Sequence, residues 1–90
     1  MQELKITIEI WQKENRYLAS VPELDFVSQG ETFEEAKKNL FEVIKIQFQE
    51  MKEMGTLEDY LKECGFENYE NAIVSKKEMV GFEKSMVMVA

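Results

Sequence analysis

Residues 32–55 constrain this chain more than any other stretch, because they carry a helix start, a helical face and a helix stop in one unbroken run. Thr32 is a good N-cap and Glu35 follows three residues later, so "TFEE" fits a capping box in which the Glu carboxylate satisfies a second orphan donor. The helix is expected over about residues 33–54. At about 100° per residue, Phe33, Ala36, Leu40, Phe41, Val43, Ile44, Phe48, Met51 and Met54 fall within one broad arc, wide enough to cover a sheet. Ile46 falls outside that arc, and Gly55 is the residue expected to end the helix. Lys37 lies within the arc near its N-terminal end, where its ammonium group snorkels past the sheet edge.

The sheet is expected upstream. "LKITIEIWQ" alternates: Leu4, Ile6, Ile8 and Ile10 face one way, and Lys5, Thr7, Glu9 and Trp11 the other. That pattern is a half-buried strand. "KEN" at 13–15 reads as a hairpin turn into "RYLASV", with Tyr17, Ala19 and Val21 on the core side. Pro22 has no amide hydrogen and ends that strand. "FVS" at 26–28 allows a short third strand, and Gly30 is expected to turn the chain at positive φ into the helix.

Beyond the helix, "TLED" at 56–59 begins a second, shorter helix with its own cap, and Gly65 closes it. "ENYEN" reads as a loop. The last stretch, "EMVGFEKSMVMVA", is rich in β-formers. It is read as a terminal strand at 86–90, with a possible further strand at 79–82. The expected fold class is α+β in β-β-β-α-α-β order. It is an antiparallel sheet of three strands plus a C-terminal strand, with the long helix on one face. Ninety residues form a single domain, 1–90, with one small core.

The formal net charge is −7, and it is negative in each third of the chain. Direct nucleic-acid binding through phosphates is therefore not expected of the chain alone, and a basic protein is the natural partner. There is no His and one Cys, so His ligands, His bases and an internal disulfide are excluded. Cys64 reads as a packing residue of the second helix, since no His is present to activate it. No apolar run approaches the about 18 residues of a membrane span. No membrane association and a cytoplasmic location are expected.

The order of Tyr17, Ala19, Pro22-Glu23-Leu24, Ser28-Gln29-Gly30, Thr32, Glu35-Ala36 and Asn39-Leu40 resembles the HicB antitoxin family. The resemblance covers about residues 4–66, and residues 67–90 are taken as a loop and strand completing the same domain. Asp25-Phe26 stand where the family often has a small pair. The resemblance implies a partial ribonuclease H-like fold and a non-enzymatic, cofactor-free role. In that role the protein neutralises a small basic HicA-type RNA-cleaving toxin by stoichiometric binding. Full-length members usually add a C-terminal DNA-binding domain. Only 24 residues follow Phe66 here, so operator binding is not expected.

Four residues are candidate partner contacts: Trp11, Glu9, Glu23 and Asp25. Trp11, on the polar face of its strand, either covers the far side of the sheet or anchors an interface. Glu9, Glu23 and Asp25 invite a metal-binding reading on such a fold. They lack a fourth ligand and a basic substrate-binding cluster, so a solvated turn or a contact to a basic partner is preferred. A homodimer or higher homo-oligomer is expected from the apolar C-terminal run, which needs cover. The alternative function is a structural or regulatory homo-oligomer with no toxin partner.

Overall fold

A computed structural model describes residues 2–90. The chain is α+β, with six strands in two sheets and two helices among the described residues. The order is β1 (Glu3–Leu4), β2 (Glu9–Lys13), β3 (Arg16–Val21), β4 (Phe26–Gly30), α1 (Phe33–Met54), α2 (Leu57–Glu63), β5 (Phe66–Tyr69) and β6 (Ala72–Ser75). One sheet is the antiparallel meander β2-β3-β4. The other has the order β1-β6-β5, with β1 parallel to β6 and β5 antiparallel to it.

The expected single N-terminal strand is thus two strands in different sheets. Its apolar face is nevertheless continuous: Leu4, Ile6, Ile8 and Ile10 all pack against the one buried cluster. That cluster joins Ala19 and Val21 of β3, Leu24 of the following turn, Ala36, Leu40 and Ile44 of α1, Leu61 of α2 and Phe66 of β5. Each layer contributes a stripe, and burying those stripes together is the main force holding the two sheets and two helices.

The long helix has the expected bounds. Thr32 is extended (φ −131°, ψ 164°), and its hydroxyl accepts from the Glu35 amide at 3.0 Å. The Glu35 carboxylate returns to the Glu31 amide at 3.4 Å, one residue before the cap rather than to the cap itself. Gly55 takes the left-handed conformation, φ 74°, and its amide reaches the Lys52 carbonyl. The buried stripe is narrower than the expected arc: Phe33 and Phe41 are half exposed, and Met54 lies largely in solvent. Lys37, at the expected edge of that stripe, is exposed.

Gly30 is not at positive φ, contrary to expectation; among the glycines only Gly55 and Gly65 are. Its requirement is space. A Cβ there would lie 2.6 Å from the Ala36 nitrogen and 2.9 Å from the Glu35 carbonyl carbon. The end of β4 therefore lies against the first turn of α1, and only a residue without a side chain fits.

Three expectations fail downstream. Thr56 makes no side-chain cap to α2; its hydroxyl instead donates to the Met51 carbonyl at 3.4 Å. "ENYEN" is not a loop. It forms β5 and the turn into β6, with Glu70 left-handed at φ 55°. No strand forms at 79–82 or 86–90, and both stretches are exposed. β-forming residues alone do not make a strand, and the place expected for the terminal strand in this part of the fold is taken by the hairpin Phe66–Ser75, whose β6 pairs with β1.

Candidate interaction surface

The meander β2-β3-β4 is covered by α1 on one face only. Its registers place Trp11 opposite Leu18 and Leu18 opposite Gln29, while Glu9 lies opposite Ser20 and Ser20 opposite Val27. Side chains alternate along a strand, so these six neighbours in two cross-strand rows share the face turned from α1, together with Lys13 and Arg16. Trp11 is 62% exposed and Val27 59%. Arg16 donates from Nε to the Gln29 side-chain oxygen at 3.1 Å. The face is therefore a small apolar patch, Trp11, Leu18 and Val27, rimmed by charged and amide groups.

Among the expected contact residues, Glu9 and Trp11 stand together. The indole Nε1 donates to the Glu9 carboxylate at 3.4 Å. Glu23 lines a shallow depression with Glu9, Thr7, Pro22, Lys77 and Glu78. Its carboxylate also accepts from the Thr7 amide at 3.1 Å, which ties the β3–β4 turn to the segment before β2. Part of Glu23's role is thus structural. Asp25 stands apart, exposed and left-handed at φ 59°.

That turn is well fastened. The Val21 carbonyl accepts from the amides of Leu24 (3.1 Å) and Asp25 (2.8 Å). Pro22 sits at its first position, where no amide is needed. Leu24 is 1% exposed, and its carbonyl accepts from the Tyr60 hydroxyl at 2.7 Å. Tyr60 also stacks on Phe26, with ring centroids 6.0 Å apart and planes 9° from parallel. Burial, with the neighbouring Cys64 and Asp25, pushes the Tyr60 phenol up to about 12. Phe26 thus stands at the centre of a Phe48–Phe26–Tyr60 aromatic group.

Among the described residues, no three His, Cys, Asp or Glu side chains gather closely enough to hold a metal ion. Cys64 is a half-buried free thiol packed against the core cluster. No described helix is long and apolar enough to cross a membrane.

Sequence reasoning missed Leu18 and Val27 as surface residues. The signal was present: with Ala19 and Val21 inward, Leu18 must face outward. A second exposed apolar feature, Phe33 and Phe41 with Lys37 between them on α1, was assigned to the core. No protein-family model, curated protein or solved structure matches the chain.

Proposed function

We propose that this chain is a binding module that resembles the HicB antitoxins and neutralises a small basic HicA-type RNA-cleaving toxin by stoichiometric binding, without catalysis. The observation that supports it most is the open outer face of β2-β3-β4, where Trp11 projects beside Glu9 on a chain of net charge −7. An exposed Trp with an acidic neighbour supplies an anchor and charge attraction toward a cationic partner. Glu23 and Asp25 add negative charge at the turn next to that face. In this reading the chain needs no cofactor and works in the cytoplasm, and it does not bind DNA tightly by itself. Co-expression with a HicA-type toxin tests the reading: growth rescue and co-purification support it, and continued toxicity with the chain present at equal amount opposes it.

A second reading is carried by a different observation. Residues Val80, Phe82, Met86, Val87, Met88 and Val89 are each more than 80% exposed. So much apolar surface in one run is an association hazard unless another chain covers it, which supports a homo-oligomer with or without a toxin partner.

A further inference from the structure

We propose that the run Met86–Val89 is an exchanged arm: it adds as a strand alongside β2 of a second copy of this chain, and the second copy returns its own arm. This rests on the self-association reading, and because the arm covers Trp11 it competes with the toxin-binding reading for that residue.

The argument begins with the arm. It leaves the body at Met79, after the exposed Lys5–Glu78 ion pair at 3.7 Å. From Val80 onward it lies in solvent, with Met86 101% and Val89 97% exposed. The radius of gyration, 15.5 Å, exceeds the about 12 Å of a compact chain of this length, and the longest extent is 49 Å. Met86 and Met88 lie on one side of an extended segment and Val87 and Val89 on the other. A strand apolar on both sides suits a place covered on both faces.

The edge follows from hydrogen-bond parity. Glu14 and Asn15 form a two-residue loop, so Lys13 and Arg16 are the hydrogen-bonded closing pair. By alternation Glu9 and Trp11 also bond to β3, and the backbone groups of Ile10 and Gln12 point to the open side. On β4 the same parity turns Val27 and Gln29 outward, but there the Asn39 side-chain amide already donates to the Gln29 carbonyl at 2.8 Å. The β4 edge is thus partly capped by α1, and the β2 edge is free.

Apolar groups flank the β2 edge on both faces. Trp11 stands on the outer face. On the inner side, Asn39 fixes which flank of α1 overlies β4's outer edge, and Lys37 and Phe41 lie about 160° around the helix from it. Phe41, 47% exposed, is therefore on the flank toward β2, and Phe33, 49% exposed, stands near it at the start of the helix. Met86 and Met88 meet that flank, where thioether–aromatic contacts are favourable, and Val87 and Val89 meet Trp11. The arm beyond Met79 carries only Glu83 and Lys84, so no net side-chain charge opposes its approach to a body of negative balance.

The test compares the full chain, a chain ending at Ser85, and Gln12→Pro, which removes an outward amide without breaking a β2–β3 bond. Matching far-ultraviolet circular dichroism establishes that each is folded. Sedimentation equilibrium of the full chain gives twice 10.6 kDa, and emission of Trp11, the sole Trp, is blue-shifted. The shortened chain is a monomer with red-shifted emission, and a synthetic peptide of residues 78–90 restores the shift. Gln12→Pro weakens that peptide's binding about tenfold or more. A dimer that survives loss of 86–90 overturns the arm and leaves self-association standing. A monomeric full chain overturns both, and blue-shifted Trp11 in that monomer shows the arm folded back on its own sheet.

Discussion

Gly30 and Ala36 are in backbone contact: a Cβ on the first would sit 2.6 Å from the nitrogen of the second. This one approach sets the distance between β4 and α1, and α1 carries three of the buried core residues. Gly30→Ala lowers the entropy of the unfolded chain, worth up to about 1 kcal/mol in favour of folding. The clash is with backbone, which cannot rotate away, so the penalty wins. Gly30→Ala is expected to destabilise by about 2 kcal/mol and Gly30→Val by more. Urea unfolding measures both, and equal stability of Gly30→Ala would disprove the close approach.

Thr32→Ala removes the hydroxyl that accepts from Glu35. The expected loss is about 1 kcal/mol, with Thr32→Ser nearly neutral. Thr56→Ala offers an internal comparison, because the Thr56 side chain does not cap α2 and makes only a long bond, 3.4 Å, to the Met51 carbonyl. Thermal melts that show the two alanine variants equally destabilised would contradict the difference between these helix starts.

Leu40 and Phe41 are adjacent in sequence but not in environment. Leu40 is 0% exposed and Phe41 47%. Leu40→Ala is expected to cost about 3 kcal/mol through the cavity it leaves, and Phe41→Ala about 1 kcal/mol or less, since a half-exposed ring has less transfer energy to lose. A larger loss at Phe41 in a monomeric chain would place the helix face elsewhere.

Tyr60 links α2 to the Pro22–Asp25 turn. Its folded pKa, about 12, lies above its ordinary 10, so the folded state holds the proton more tightly. Its contribution is complete below about pH 10 and is lost as pH rises from there through about 12. Stability should fall over that window, and Tyr60→Phe should flatten the fall while losing the bond to Leu24 at every pH. Absorbance titration compared between the parent and Tyr60→Phe should show that the phenolate lost in the variant is one that forms near pH 12. A lost phenolate that forms near pH 10 would remove this account.

The legible parts of the fold are those whose signals are local. Thr32, Glu35 and Gly55 mark both ends of α1, and the alternation Tyr17-Leu18-Ala19 assigned the faces of β3. The hairpin Phe66–Ser75 was not legible because Glu67, Asn68 and Glu70 are poor strand formers, and β6 is held by β1 from the far end of the chain. The opposite error occurred at 86–90, where strong β-formers stay unpaired although β2 of the same chain is an edge strand. At the candidate surface, Trp11 and Glu9 followed from strand alternation. The tie from Glu23 to the Thr7 amide did not, because it joins residues 16 apart that only the folded turn brings together.

The most direct measurement of the proposed function is calorimetric titration of the full chain into a catalytically inactive HicA-type toxin. The account predicts saturable binding at one antitoxin chain per toxin, weakening as salt rises. Trp11→Ala should weaken it at least about tenfold, the loss expected of an interface anchor. Absence of heat and of co-migration at micromolar concentrations, with both proteins folded, would contradict it.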